Sequence, residues 1–193
     1  MDKDRPLSWS AISSFKYDPE QWYRKYILGQ KEPPSEAMIF GKYVGDRLAS
    51  DPDFLPEVPR YKVFEQKLTG KVGNIPLLGF LDGFNPETRA FYEYKTSANT
   101  KRWTSKTVQE HGQILMYMYL LYTNYGIAPE KIGCHLVYIP VCENALFNLS
   151  LSPDPIQIFG AKHTTLDVLR FANDVKEVYK EMEAYALAHS IAS

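Results

Sequence analysis

The sequence is poor in cysteine and has no long apolar run. Only two of its 193 residues are cysteines, Cys134 and Cys142, and their spacing matches no metal-binding motif. We expect both to be reduced thiols in a reducing compartment. No stretch approaches the ~20 apolar residues of a membrane span, and the opening residues lack the pattern of a secretory signal. These absences predict a cytoplasmic protein with no membrane partner.

The chain also lacks a large net charge. Its formal charge is −1, so any surface for nucleic acid must be local rather than a property of the whole molecule. The hydrophobic fraction of 45% and the charged fraction of 23% are typical of a globular protein. A chain of 193 residues fits one domain, 1–193, which needs no disulfide or metal for its stability.

Residues 1–60 are predicted to be a helical segment. Ser8 or Ser10 can cap a first helix, Pro19 suits the first turn of the next piece, and Gly29 suits its end. A further helix begins after Ser35. It contains Gly41 and Gly45, one turn apart. Because glycine destabilises a helix interior by about 1 kcal/mol, this pair predicts close approach of a backbone or a ligand.

Residues 61–193 are predicted to form a sheet core with flanking helices. Three strands follow one another as a meander over 60–70, 75–84 and 89–97, followed by a helix over 103–125 and two more strands within 131–152. A final helix is predicted from about Thr164 to His189. Its apolar stripe recurs in steps of three and four and comprises Val168, Phe171, Val175, Val178 and Met182.

The second and third strands carry a candidate catalytic group. If residues 85–88 form a tight turn, Phe84 pairs with Arg89, and Asp82 shares a face with Glu93 and Lys95. Two carboxylates at roughly 7–8 Å between backbones can converge on one hard cation. A cation there would neutralise a phosphate oxygen and acidify water, and the lysine would orient that water.

The acid-x-lysine pattern alone is weak. It occurs three times, at Glu65/Lys67, Glu93/Lys95 and Asp174/Lys176, and exposed strands often carry it. The middle pair differs because an acid ends the preceding apolar strand. On the following helix, Gln109, Gln113 and Tyr117 share one stripe that could line the same site or simply mark a helix boundary.

A basic loop lies between the third strand and this helix. It contains Lys101, Arg102 and Lys106 together with Trp103. Cations for phosphates and a ring for stacking suit a nucleic-acid strand. A solvated basic loop is the simpler interpretation when the segment is taken alone.

Five segments, in this order, resemble the RecB-like branch of the PD-(D/E)xK nuclease superfamily. They are LSWSAISSFKYDPEQWYRKYILG at the N-terminus, GKYVGDRL in place of a Gly-x-x-x-His motif, GFLDG, EYK, and QILMY in place of a Gln-x-x-x-Tyr motif. The resemblance implies an α/β fold leaning towards α+β, with a restriction-endonuclease-like core: a central mixed sheet of about five strands flanked by helices. It covers most of the chain.

The resemblance implies a role for each matching residue. Asp82 and Glu93 would bind Mg²⁺ or Mn²⁺ with the main-chain carbonyl of Tyr94, Lys95 would position or activate the attacking water, and Gln113 and Tyr117 would support the site. The implied activity is DNA phosphodiester hydrolysis on single- or double-stranded DNA, by a stand-alone exonuclease of recombination, repair or phage type. A homo-oligomer or a recombination partner is compatible with it.

The chain departs from the pattern at two places. Gly45 stands where the branch has its histidine, and Asp18 stands where a cysteine often precedes proline. With two cysteines, the four-cysteine iron–sulfur cluster of some relatives is not expected. Two alternatives therefore stay open: a nucleic-acid-binding relative with weakened catalysis, and an unrelated protein-interaction domain, which would scatter the matching residues.

Overall fold

A mixed β-sheet is the centre of the structure, a computed structural model that describes residues 5–30, 32–61, 63–99, 101–143 and 149–191. Within these ranges it has six strands: β1 (Val63–Val72), β2 (Ile75–Asn85), β3 (Ala90–Ser97), β4 (Gly133–Glu143), β5 (Leu149–Leu151) and β6 (Gln157–Ala161). The order is β1-β2-β3-β4, with β5 and β6 both pairing to β4. Only β3 and β4 are parallel, which confirms the expected mixed sheet.

The predicted meander is present, but the sequence analysis missed one strand. Strand β6 was not predicted, although it pairs with β4 over five residues. Its sequence, QIFGA, is short and mostly exposed, so it carries little alternation to detect. The predicted fifth strand is described only as β5, because residues 144–148 lie outside the described residues, as do residues 1–4, where a signal peptide was considered.

Helices cover both faces of the sheet. They are α1 (Trp9–Tyr17), α2 (Pro19–Trp22, continued by a π-helical turn at Tyr23–Ile27), α3 (Glu36–Ser50), α4 (Ser105–Gln109), α5 (Gly112–Tyr125) and α6 (Thr165–Ile191), with a short 3₁₀ turn at Pro129–Lys131. None of these helices, within the described residues, is long and apolar enough to span a bilayer. The sheet therefore has a layer of helices on each side.

The helix starts follow the capping residues. Ser8 accepts a hydrogen bond from the Ala11 N–H and so caps α1. Asp18 caps α2 through the Gln21 N–H, with Pro19 in the first turn, and Ser35 caps α3. Each of these groups satisfies a main-chain donor that the helix itself leaves free.

Two cores hold the layers together. The larger one lies between the sheet and helices α1, α5 and α6, and it includes the whole predicted stripe of α6. The smaller one lies on the other face, where Val44 and Leu48 of α3 meet Val137 and Ile139 of β4. The buried side of α5 is mostly apolar, and it packs against α6, β1 and β2.

The prediction of a single helix over 103–125 is wrong, because this segment forms two helices. These are α4 and α5, separated at Glu110 and His111. At the first residue of α5, a Cβ on Gly112 would lie 2.1 to 2.8 Å from ring atoms of Trp9. The indole of Trp9 therefore occupies the space beside the break, a long-range contact that local periodicity does not encode.

Replacing Gly112 by Ala tests this packing. The added methyl would overlap Trp9, whose ring is itself fixed against His111 and Phe171. We expect a loss of about 1–3 kcal/mol in the free energy of unfolding, measured by urea denaturation. Gly45→Ala is the matched control: no atom lies within 4 Å of its added Cβ, so we expect a gain of up to about 1 kcal/mol. Equal effects at both glycines would contradict the packing argument.

Candidate active site

The candidate site lies where β2 and β3 separate. The two strands pair only at Gly83 to Asn85 of β2. Beyond that point β2 remains paired with β1, and β3 remains paired with β4. The separation opens a cleft of about 940 Å³ between α3 and α5.

The N-terminal segment closes one end of this gap. Leu7 forms a parallel bridge with Leu77: the Leu7 N–H donates to the Pro76 carbonyl over 2.7 Å, and the Leu78 N–H donates to the Leu7 carbonyl over 3.1 Å. Ser8, Trp9 and Ser10, which follow directly, line the cleft. Sequence reasoning missed these three residues, because a bridge across 70 positions leaves no local signal.

The hairpin register differs from the predicted one by two residues. Phe84 pairs with Phe91 rather than with Arg89. A slip of one residue would have moved Asp82 to the other side, but a slip of two preserves the facing side. Extending the observed register places Asp82 opposite Glu93 instead of diagonal to it, and both carboxylates line the cleft.

Asp82 bridges the gap between the two strands. Its Oδ2 accepts a hydrogen bond from the Tyr94 N–H over 2.9 Å, so the carboxylate takes the place of a main-chain carbonyl that β2 no longer supplies to β3. The Tyr94 side chain points away from the cleft, because its hydroxyl donates to the Pro59 carbonyl over 2.9 Å. Only the backbone of Tyr94 is therefore available at the site.

Glu93 is a buried acid with one oxygen unused. Its residue is 1% exposed, and Oε1 lies 2.6 Å from the Lys95 ammonium. Oε2 is buried and has no hydrogen-bond partner. An unsatisfied buried carboxylate oxygen is costly and calls for an explanation, such as a cation that the site would hold.

Lys95 is held in a chain of hydrogen bonds that runs to α5. Its Nζ donates to Gln113 Oε1 over 3.0 Å, and Gln113 Nε2 donates to the Tyr117 hydroxyl over 2.7 Å. That hydroxyl donates in turn to the main-chain carbonyl of Phe80 on β2. The helix thus ties β3 to β2 across the gap and fixes the position of the ammonium.

Burial and charge perturb the titration of these groups. Burial, with a further contribution from the charge of Glu93, raises the pKa of Asp82 to about 8. Burial alone would lower the pKa of Lys95, but the combined attraction of Glu93 and Asp82 exceeds that effect, so its pKa is raised. Burial also raises the pKa of Tyr117. Lys95 is therefore charged and Tyr117 neutral at physiological pH.

The residues present fit a divalent cation held mainly by water and two acids. Asp82 and Glu93 supply carboxylate oxygens, and one of these is unpaired. Within the described ranges no three His, Cys, Asp or Glu side chains cluster to hold a metal. Mg²⁺ commonly uses one or two carboxylates and keeps several waters, so the pair is sufficient for that ion and too sparse for an all-protein cage.

Glu65 is strained directly opposite Asp82. Phe64 pairs with Gly83 and Gln66 pairs with Leu81, but Glu65 and Asp82 between them do not pair. Glu65 has φ of 50°, in the left-handed region that side chains rarely adopt. Such a conformation costs on the order of 1–3 kcal/mol and is typical of functional sites.

The left-handed residue Glu65 interrupts the alternation of side chains along β1, so that residues before and after it face different cores. Leu68 and Val72 pack in the larger core, whereas Phe64, also at an even position, packs against the smaller one. The alternation of side chains is also interrupted on the partner strand β2. Leu81 and Phe84 are three positions apart and should face opposite sides of the sheet, but both lie in the larger core. Asp82 lies at this interruption, which explains why its carboxylate can reach across the gap.

One residue of the basic loop, Trp103, is not positioned for the contact with nucleic acid that the sequence predicted. Trp103 is 6% exposed, and its ring packs against His111 at 5.2 Å between centroids. The prediction that it stacks on a base is therefore wrong for this conformation. Lys101, Arg102 and Lys106 are exposed, so their predicted contact with phosphates is sterically open and stays a prediction.

Of the polar stripe predicted on one helix, Gln109, Gln113 and Tyr117, only the last two lie at the site, where they line the cleft. Gln109 belongs to the separate helix α4, where it accepts a hydrogen bond from the Lys162 N–H over 3.0 Å. The break between α4 and α5 removes the predicted continuity of the stripe.

Comparison with known proteins bears on the fold. No protein-family model matches the chain, and no curated protein does. The similar solved structures include two that each have a TM-score of 0.58 and cover 95% of this chain. One is a candidate exonuclease from Eubacterium rectale, at 15% identity over 82% of its chain. The other is a phage-related exonuclease from Haemophilus somnus 129PT, at 10% identity over 83% of its chain.

The chain has the fold of these exonucleases. The expected nuclease-type core is thereby confirmed at the level of fold. At 10% and 15% identity the likeness does not extend to individual side chains, and membership of the RecB-like branch stays a prediction.

The raised pKa of Asp82 predicts how stability depends on pH. Between about pH 4 and pH 8 the folded carboxyl keeps a proton that the unfolded chain has released. The folded state binds more protons, so stability falls as pH rises through this window, by at most about 1.4 kcal/mol per pH unit. Asp82→Asn removes this dependence. We expect its advantage over wild type to grow from pH 4.5 to pH 8 in urea denaturation with chelator present.

The matched control is Glu87→Gln, which alters an exposed acid in the β2–β3 turn. It should follow the wild-type curve at each pH. A constant difference between Asp82→Asn and wild type across the range would show that burial does not hold the proton on Asp82.

The left-handed backbone at Glu65 predicts that glycine stabilises the protein at this position, whereas glycine usually destabilises a strand. Glu65→Gly should stabilise the protein by about 1 kcal/mol because glycine adopts this φ without strain, whereas Glu65→Val should destabilise it. Lys67, exposed and regularly paired on the same strand, is the control. There glycine should cost roughly 0.5–1 kcal/mol and valine should be tolerated. Chemical denaturation of the four variants measures this, and the same order at both positions would refute the strain.

Proposed function

We propose that the protein is a divalent-metal-dependent deoxyribonuclease that acts as an exonuclease. The observation that carries the proposal is the buried, unpaired Oε2 of Glu93, which lies in one cleft with Asp82 and a fixed ammonium. The fold shared with two structures described as exonucleases supports it. An unrelated interaction domain would give no reason for two acids and an ammonium to meet in one cleft.

In this proposal Asp82 and Glu93 hold Mg²⁺ or Mn²⁺, and the main-chain carbonyl of Tyr94 is a further ligand. The cation, when bound, neutralises a phosphate oxygen and lowers the pKa of a coordinated water. The fold excludes bulk water from Glu93, which is buried. Burial strengthens the electrostatic contact between Glu93 and Lys95.

Lys95 acts as a charged donor. Its raised pKa keeps it protonated, so it positions the attacking water or stabilises the charge that develops on phosphate instead of removing a proton. An ammonium has three N–H donors, of which Glu93 and Gln113 engage two. Tyr117 keeps Gln113 in place, and thereby sets the direction of the third donor.

The exposed cations on the loop before α4 and in its first turn are proposed to contact the DNA backbone. Lys101, Arg102 and Lys106 begin four residues beyond the end of β3, close in sequence to the site. Such contacts give affinity without reading sequence. A role in recombination, repair or phage replication belongs to the same proposal, as does any homo-oligomer or recombination partner.

One observation favours the second candidate, a binding protein with weakened catalysis. Gly45 lines the cleft, and the space beside it is open: no atom lies within 4 Å of an added Cβ. A histidine there would have room, and its absence leaves any cation with fewer protein ligands. The two candidates differ in turnover and share DNA binding.

Digestion of end-labelled linear and circular DNA separates these candidates. With Mg²⁺ or Mn²⁺ we expect linear DNA to be degraded and circular DNA to be spared, and chelator should stop the reaction. Lys95→Ala should reduce turnover by at least 100-fold, as loss of a preorganised donor does, while cation affinity measured by calorimetry stays within a few-fold. Lys67→Ala, which removes an exposed ammonium from β1, is the matched control and should retain activity.

Three results would count against the proposal. Wild type that degrades no DNA with either metal leaves only the binding protein. Activity that persists in chelator removes the cation from the mechanism. Full activity of Lys95→Ala removes that ammonium from its role.

A further inference from the structure

The reactive groups lie at the bottom of a narrow space. Glu93 is 1% exposed and Lys95 is only partly exposed, and the cleft above them measures about 940 Å³. Volumes of this size belong to pockets that hold small-molecule ligands. A duplex keeps its bases stacked and paired inside a wide rod, so it does not fit. A phosphate that reaches Lys95 must arrive on an unpaired strand.

Two large apolar side chains stand exposed on the walls of this cleft. Phe80 is 47% exposed and Met38 is 61% exposed, and both line the cleft with the acids. Phe80 precedes Asp82 by two positions on β2, about 7 Å along the strand. Its neighbours Gly79 and Leu81 are buried, so its ring points away from α5. Met38 lies in the first turn of α3 and lines the same cleft.

Single exposed apolar residues are common and need no explanation. These two differ because they flank charged groups in a concave site. The other aromatic rings that line the cleft are engaged elsewhere. Trp9 packs against His111 and Phe171, and Phe64 packs against the smaller core. The hydroxyls of Tyr94 and Tyr117 donate to main-chain carbonyls. Phe80 is therefore the ring best placed to meet a base next to a bound phosphate.

We infer that Phe80, with Met38 exposed in the same cleft, is a stacking platform for an unpaired base, and that the cleft takes single-stranded DNA ends. This inference rests on the proposed nuclease function and adds the substrate class. A base stacked on an aromatic side chain contributes about 5- to 150-fold in affinity, with little dependence on sequence. The thioether of Met38 suits a further contact in this cleft because it is flexible and polarisable and adapts to different bases.

Binding of labelled oligonucleotides tests the platform. The full chain carrying Lys95→Ala, with Mg²⁺ present, is titrated with a single strand, a blunt duplex and a duplex with an unpaired tail. Fluorescence anisotropy should show tighter binding of the single strand and the tailed duplex. Adding Phe80→Ala should weaken single-strand binding by 5-fold or more, and Phe80→Trp should restore it. Tyr125→Ala, an exposed aromatic outside the cleft, is the control and should change nothing.

An abasic nucleotide at the labelled end locates the contact. It should weaken binding to the protein that retains Phe80, and it should make no further difference once Phe80→Ala is present. Loss of affinity in both backgrounds would show that the base meets something other than this ring.

Turnover by wild type provides the separate check. If wild type degrades DNA with Mg²⁺ but cleaves a blunt duplex as fast as a tailed one, or if Phe80→Ala binds single strands as tightly as its parent, the inference fails and the nuclease proposal stands. The inference would also fail if Phe80→Ala changed only the self-association of the protein, because Phe80 would then contact another protein chain and not a base. Absence of any digestion by wild type refutes the nuclease proposal itself.

Discussion

The parting of β2 and β3 is the constraint on which the site depends. A sheet of fully paired strands would use the Tyr94 N–H in its ladder and would leave Asp82 on one surface. Because the strands part, the Asp82 carboxylate accepts that N–H instead, and the same gap opens the cleft that Glu93 and Lys95 line. The link from Lys95 through Gln113 and Tyr117 to the Phe80 carbonyl spans the gap and joins the two strands.

Several features that reduce the stability of the folded state lie together at this site. A left-handed Glu65, an acid with a pKa of about 8, and a buried carboxylate oxygen without a partner all lie within the same few residues. None of them stabilises the fold. The two apolar cores must therefore supply the stability that the site lacks, which agrees with the dense packing of α5 and α6 against the sheet. Costs that cluster in this way are the physical mark of a site kept for a ligand.

Much of the fold could be predicted from the sequence because its signals are local. Ser8 and Ser35 act as caps, and the α6 stripe from Val168 to Met182 is buried as its spacing predicts. The errors arose where distant parts of the chain decide. The break before Gly112 depends on Trp9, and the burial of Trp103 depends on packing that composition does not reveal. The convergence of Asp82 and Glu93 was predicted from a wrong register, and it survived only because the error was two residues.

The bridge between Leu7 and Leu77 has a consequence for how the cleft is assembled. Two main-chain hydrogen bonds join segments 70 positions apart, and closing so long a loop carries an entropic cost that the hairpins of the meander avoid. The meander can form from neighbours alone, whereas this wall needs the chain's first described residues to return to a sheet already in place. We expect local opening to begin there, so that the wall beside Ser8 exchanges its amide hydrogens faster than the strands it covers.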